Sequence, residues 1–321
     1  MPQENKNARI QIAQIDNPRT TNGKITWVNI VDAGKKEIEY LRKKYGFQLA
    51  HLQASSGNVF SQRPAIHKAD DYFFLILHFP LYQNDQIVAS EVDFFIGHGF
   101  LITLHHGNLK PLNEFFNLCK KDGASLLTFE LESSSVLLYE ILQKLMLGCY
   151  PLLDKNSIAI TKVEEIIFSR EERQAVSKIL FLRQNIINFR KIMQSHKNIL
   201  TKLEELKSSL VASNELKKYY RELVDHSKTI WDILENQKEV IEILNSTNES
   251  MLNYRLSDIM RTLTIFSVIV FPLTLFATVF AIRPAGGMPF VDSPYGFWLV
   301  IELMALIALL MVYFFKKKKW L

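Results

Sequence analysis

The stretch LTIFSVIVFPLTLFATVFAI, Leu263–Ile282, carries no charge, and FWLVIELMALIALLMVYFF, Phe297–Phe315, follows it after only fourteen residues. A bilayer core of about 30 Å is crossed by about 20 apolar residues in a helix, so both stretches read as transmembrane helices. The connection is too short for a domain, and the two spans therefore form a hairpin with both flanks on one side. Arg255 and Arg261 precede the first span, and Lys316, Lys317, Lys318 and Lys319 follow the second. Basic flanks place that side in the cytoplasm. The expectation is a multi-pass protein of the cell (inner) membrane with N- and C-termini cytoplasmic.

Working outward, the chain has 321 residues, 48% of them hydrophobic, and a net charge of +5. Two spans leave roughly 260 residues outside the membrane, enough for one large or two ordinary domains. Part of the positive charge is the four-lysine tail, which suits anionic inner-leaflet lipid. No basic stripe with interleaved aromatics suggests a nucleic-acid partner. Cys119 and Cys149 lie far apart without CxxC spacing and read as reduced, structural thiols. Met1-Pro2-Gln3-Glu4-Asn5-Lys6 opens no apolar h-region, so no cleaved signal is expected.

Residues 1–125 alternate short strands and helices and predict an α+β domain. Ile25–Val31 is rich in β-formers, and Ala33–Tyr45 is a charged helix closed by Gly46. Asn58–His67 and Tyr72–Phe79 read as a strand pair. Ile87–Ile96 and Phe100–His106 flank Gly97-His98-Gly99, a hairpin signal because glycine accepts positive φ. Residues 126–262 are nearly free of glycine and proline and predict a stalk of long helices, about Ser133–Phe168, Glu171–Lys207 and a third from Asn214. In the third, Leu216, Leu223, Ile230, Leu244 and Met251 recur with a heptad period, and Tyr220, Leu234 and Ile241 fill the alternate seam. Nothing breaks that helix before the membrane. Span 263–282, loop 283–296, span 297–315 and basic tail 316–321 complete the division.

The run Met260-Arg261-Thr262-Leu263-Thr264-Ile265, with Phe271-Pro272-Leu273-Thr274, resembles the pore helix of the CorA magnesium-transporter family. Tyr220–His226 is similar to that family's stalk segment, Leu138–Leu142 to its first long helix, and Glu91–His106 to its cytosolic hairpin. Lys316–Leu321 resembles its basic tail. The resemblance covers most of the chain. It implies a funnel-shaped homopentamer whose first span lines a pore for divalent cations, with Mg²⁺ the default cargo and Zn²⁺ or Co²⁺ the alternatives.

One element departs from the pattern. The family's Gly-Met-Asn signature would fall at Ala281-Ile282-Arg283. The asparagine presents an oxygen to a hydrated ion, whereas arginine offers donors and no acceptor. The loop Gly286-Gly287-Met288-Pro289 resembles that of the family's zinc-transporting relatives, and its backbone carbonyls are a second candidate for the mouth. Glu302 is the one acid inside either span. An intramembrane carboxylate is costly and suggests a function, either a salt bridge to Arg283 or an ion or proton role.

If the first span lines a pore, Asn253, Ser257, Met260, Leu263, Ser267, Phe271 and Thr274 repeat at the right spacing to face it. Their polar members can hydrogen-bond the water of a hydrated ion, and Met260, Leu263 and Phe271 can close it by dewetting. The resemblance also implies a cytosolic sensor, in which acids of the α/β domain face acids of a neighbouring stalk until a dication bridges them. Asp70, Asp71, Glu222 and Asp225 occupy the matching segments. His98, His105 and His106 are close in sequence, but His105 and His106 point to opposite faces of a strand. His51, His67 and His78 are scattered, so a zinc centre is not expected. No phosphate loop, nucleophile elbow or HExxH suggests an enzyme. The reading is a CorA-like divalent-cation transporter or channel gated by cytosolic cation binding. The alternatives are a zinc-transporting relative and a non-conducting membrane-anchored sensor or scaffold.

Overall fold

The computed structural model describes residues 9–16, 24–55, 63–121, 134–169, 172–205, 214–281, 294–318 and 320. The chain divides into two compact units, Met1–Asn245 and Ser246–Leu321.

The first unit is built on six strands, β1 (Ile10–Asp16), β2 (Lys24–Val31), β3 (Ala65–Lys68), β4 (Tyr72–Gln83), β5 (Gln86–Gly97) and β6 (Phe100–His105). They form one sheet in the order β1-β2-β6-β5-β4-β3. All neighbours are antiparallel except β2 and β6, which pair in parallel from Thr26↔Phe100 to Val31↔His105. Two tight turns fix the central register. Asn84 and Asp85, both at positive φ (49° and 63°), join β4 to β5 as a two-residue turn whose twist matches the strands. His98-Gly99 joins β5 to β6, with Gly99 at φ 76°. Just before it, a Cβ on Gly97 would fall 2.2 Å from the Phe100 ring. Of the expected strand at 58–67, residues 58–62 lie outside the described ones, and the described part holds β3.

Alternation along β4 sorts the core. Phe73, Leu75, Leu77 and Phe79 pack on one face, and Tyr72, Phe74 and Ile76 on the other. The second face is covered by α1 (Lys35–Tyr45) and α2 (Leu49–Ala54). Gly46 at φ 67° ends α1 by returning its N–H to the Arg42 carbonyl. The first face receives α3 (Lys110–Lys121), α4 (Ser134–Leu147), α5 (Tyr150–Phe168), α6 (Glu172–Met193), α7 (His196–Glu205) and the start of α8 (Asn214–Ala281). Cys119 and Cys149 are buried free thiols, and burial pushes them up to about 11 and about 12.

Two helices expected to be continuous are broken. The first stops at Leu147 and restarts at Tyr150 with Pro151 in its opening turn. Gly148 sits there because a Cβ would meet Pro111 at 2.9 Å. The second breaks between α6 and α7, where the Ser195 carbonyl takes the Ile199 N–H and opens a new helix. The heptad seam of α8 is also less uniform than its leucines suggest. Ser227 and Gln237 stand at seam positions and are buried. The Gln237 amide donates to the Leu153 carbonyl at 2.8 Å and to Ser157 Oγ at 3.0 Å, which binds α8 to α5 by polar contacts.

α6 also holds the β4–β5 hairpin. Asn185 Oδ1 accepts the buried Ile87 N–H at 3.0 Å, and its Nδ2 donates to the Asp85 carbonyl at 3.1 Å. Asn185→Ala leaves a buried backbone donor unmet, at a cost of about 1–3 kcal/mol. A drop of several degrees in the melting temperature of the purified protein is expected; an unchanged transition would show that water replaces the amide.

The second unit contains the rest of α8 and α9 (Gly296–Lys317). Among the described residues three helical segments are long and apolar enough to cross a membrane. Ser134–Phe168 is 56% buried over its most apolar window, so its apolar face is spent on its own core. The windows in α8 and α9 are not buried at all. These are the two spans the hydropathy pattern identifies.

Candidate functional site

α8 is one unbroken helix of 68 residues with Pro272 inside it. Proline removes the N–H that would reach the Val268 carbonyl, and threonine hydroxyls donate to other carbonyls of the same helix. Thr264 Oγ1 donates to the Met260 carbonyl at 2.7 Å and Thr274 Oγ1 to the Val270 carbonyl at 2.9 Å. At 100° per residue, Asn253, Ser257, Met260, Leu263, Ser267, Phe271 and Thr274 fall within an arc of about 120°. Met260, Leu263 and Phe271 are 54%, 58% and 72% exposed. A single chain leaves this stripe bare. Just before the span, Arg261 pairs with Asp258 at 3.3 Å.

The segment that follows α8 is only partly described. Ala281 is the last residue of α8. Ile282, Arg283, Gly286, Gly287, Met288 and Pro289 lie outside the described residues. Glu302 is exposed on α9, and Lys316, Lys317 and Lys318 follow as an exposed basic end; Lys319 is also outside the described residues.

The acids assigned to the sensor sit apart within one chain. Asp70 and Asp71 are exposed in the β3–β4 connection. Glu222 and Asp225 are exposed on α8. Asp225 pairs with Lys228 at 2.9 Å. Glu222 accepts from the Tyr139 hydroxyl at 2.9 Å and the Gln143 amide at 3.3 Å, and His226 lies 3.8 Å away. Burial, and after it the Glu222 carboxylate, hold the Tyr139 hydroxyl well above the usual range. Burial raises Glu140 as well. Tyr139 and Gln143 are the polar partners that inspection of α8 alone misses, because they come from α4. Among the described residues no three His, Cys, Asp or Glu side chains converge to hold a metal ion. His105 is buried: its Nδ1 accepts the Gly107 N–H and its Nε2–H donates to Asn29 Oδ1 at 2.8 Å, while His106 turns outward to Asp32 (2.9 Å). His51 and His67 do meet, with ring centroids 5.5 Å apart.

An α/β unit, a helix of 68 residues and bare apolar stretches in α8 and α9 define the class, a membrane protein with transmembrane helices. The family described as CorA-like Mg²⁺ transporter protein matches residues 22–317, and the chain belongs to that family, one of metal-ion transport membrane proteins and not of enzymes. The cobalt/magnesium transport protein CorA of Methanocaldococcus jannaschii is 24% identical over 321 residues, 98% of each chain. That of Thermotoga maritima is 24% identical over 299 residues, covering 92% of this chain and 83% of its own. The complete structure of the CorA magnesium transporter from Methanocaldococcus jannaschii shares the fold. Its TM-score is 0.83 at 21% identity, over 97% of this chain and 98% of that one.

Proposed function

We propose that the chain conducts divalent cations across the cell membrane, with Mg²⁺ the principal cargo, as a homopentamer with both termini cytoplasmic. The observation that supports this most is the continuity of α8, which carries the Asn253–Thr274 stripe on one arc directly from the α/β unit into the first span. Five copies of that stripe around an axis would alternate water-binding groups with apolar rings at Met260, Leu263 and Phe271. Such rings close by dewetting and open when the helices part. Ala281-Ile282-Arg283, or the carbonyls of Gly286-Gly287-Met288-Pro289, form the mouth, Glu302 stands within the second span, and the lysines at 316–319 rest on anionic lipid.

The test is uptake into proteoliposomes under an inward gradient of Mg²⁺, then Zn²⁺, then Co²⁺. Uptake supports transport, and the fastest ion names the cargo. A second reading, a non-conducting sensor, draws on the arginine at position 283 where an oxygen donor is expected. Silence from both wild type and Arg283→Asn would favour it.

Gating by the cytosolic acids has its own test. Asp70 and Asp71 of one subunit would face Glu222 or Asp225 of the next, repelling until a dication bridges them. Replacing Asp70 and Asp71 by asparagine removes the bridge. Internal Mg²⁺ that slows wild-type uptake should then slow the variant about tenfold less effectively, the effect of losing about 1.4 kcal/mol of coupling. Unchanged inhibition would exclude these two residues.

A further inference from the structure

Where β2 and β6 end, beside the start of α1 and the end of α2, the first unit holds a partly open cleft of about 440 Å³. Its walls hold three carboxylates, Asp32, Glu91 and Asp93, against one arginine, Arg9. Two of the acids have partners: Glu91 meets His78 at 2.9 Å, and Asp32 meets His106 at 2.9 Å. Arg9 leans toward Glu37 at 3.9 Å. Asp93 differs. It is 3% exposed and stands on the sheet face otherwise occupied by Ile76, Phe95 and Leu104. The Ser55 hydroxyl is its side-chain hydrogen-bond partner, and its Oδ1 is left without one. A buried polar oxygen without a donor destabilises the fold, so a donor that arrives with a ligand is the natural complement.

We propose that this cleft binds a small organic cation carrying protonated amines, with one ammonium on Asp93 and further ammonium groups toward Glu91 and Asp32. A bare metal ion fits the walls less well, since the described carboxylates do not converge on one point. Amines spaced along a methylene chain reach separated carboxylates one by one, while Ala33 and Leu104 offer apolar wall to the chain between them. An ammonium also brings the N–H donors that Oδ1 lacks. His105 adds no competing charge. Its Nδ1 accepts the Gly107 N–H and its Nε2 faces Asn29 Oδ1, and burial followed by His106 lowers it to about 4.

The charged and polar groups lining the cleft with Asp93 are Glu91 on its own strand, Ser55 just after α2, His105 at the end of β6, His106 after it, Asp32 after β2 and Arg9 before β1. Burial, with Glu91 second, pushes the empty site's Asp93 carboxyl up to about 8. A cationic ligand takes the ionised carboxylate, so binding releases a proton below that pH. Affinity therefore rises with pH, by up to about tenfold per unit below pH 8, while the amines keep their own protons.

The experiment is calorimetric titration of the full-length protein in neutral detergent with spermidine and putrescine, and separately with Mg²⁺ alone. Spermidine should bind, about tenfold tighter at pH 8 than at pH 6.5. Asp93→Asn should weaken binding about tenfold or more and flatten the pH dependence. Asp32→Asn gives an independent check: asparagine tolerates the φ of 51° found there, so the turn persists while the affinity falls. Failure of wild type to bind spermidine, or binding that neither substitution alters, would overturn the proposal. So would Mg²⁺ binding that depends on Asp93 and that spermidine does not displace. Because the readout is binding, the result stands apart from whether the membrane path conducts.

Discussion

Arg283→Asn should raise Mg²⁺ uptake into proteoliposomes about tenfold or more over the wild type. In the proposed pentamer five guanidiniums stand near the mouth. At about 10 Å and an effective dielectric constant of about 20, each repels a dication by about 3 kcal/mol. A Debye length of about 8 Å at physiological ionic strength cuts this to about 1 kcal/mol each. Five such terms sum to about 5 kcal/mol against entry, and about 1.4 kcal/mol already accounts for a tenfold change in rate. Asparagine removes the charge and restores a carboxamide oxygen that hydrated Mg²⁺ can use. The ratio of variant to wild type should shrink as salt rises, because screening relieves the wild type alone. Arg283→Lys should stay slow. A wild type as fast as Arg283→Asn at low salt would mean that the guanidinium turns away from the axis toward lipid headgroups, and the mouth would then be assigned to backbone carbonyls.

The two apolar helices were legible because their signal is local: about twenty mostly apolar residues in a row need no tertiary partner to be recognised. The β5–β6 hairpin and the end of α1 were legible for a related reason. Gly99 and Gly46 occupy positive-φ positions that glycine fills without strain. Contacts distant in sequence were not. β1 alternates exposed and buried residues, but its outward Ile12 is as apolar as its buried Ile15, so hydrophobicity does not mark the inner face, and its place is set by pairing with β2. The parallel pairing of β2 with β6 joins segments more than seventy residues apart, which no periodicity encodes. The break after Leu147 depends on Pro111 occupying the space above Gly148. Glu222 reads as a solvated acid on a helix until α4 brings Tyr139 and Gln143 beside it. Asp93 hides for the opposite reason. It looks like one more charge beside Glu91, and only the sheet shows that its face is a core.

Acid should destabilise the first unit through His196. The ring is wholly buried at the start of α7, edge-on to Phe79 with centroids 5.3 Å apart. Its nitrogens lean toward the carbonyls of Ile192 and Met193 without completing a hydrogen bond. Burial, with His78 adding to it, lowers His196 from 6.5 to about 4. A folded value below the unfolded one means that the neutral ring favours folding above about pH 6.5, and that this contribution is lost as pH falls toward 4. Between pH 7.5 and pH 5 the loss comes to about 2 kcal/mol, or a fall of about 4–8 °C in melting temperature for a unit of this size. Asp93 works in the other direction, since a raised carboxyl loses stability as pH rises from its unfolded value through about 8. The His196 contribution is therefore read as a difference between two proteins at the same pH. His196→Leu keeps an apolar side chain against Phe79 and has no proton to gain. Its melting temperature should fall less than that of wild type between pH 7.5 and pH 5, by about the same 4–8 °C. Parallel curves for the two proteins would show that His196 is solvated in the folded state, and the acid sensitivity would pass to His105, whose neutral ring is held between Asn29 and the Gly107 N–H.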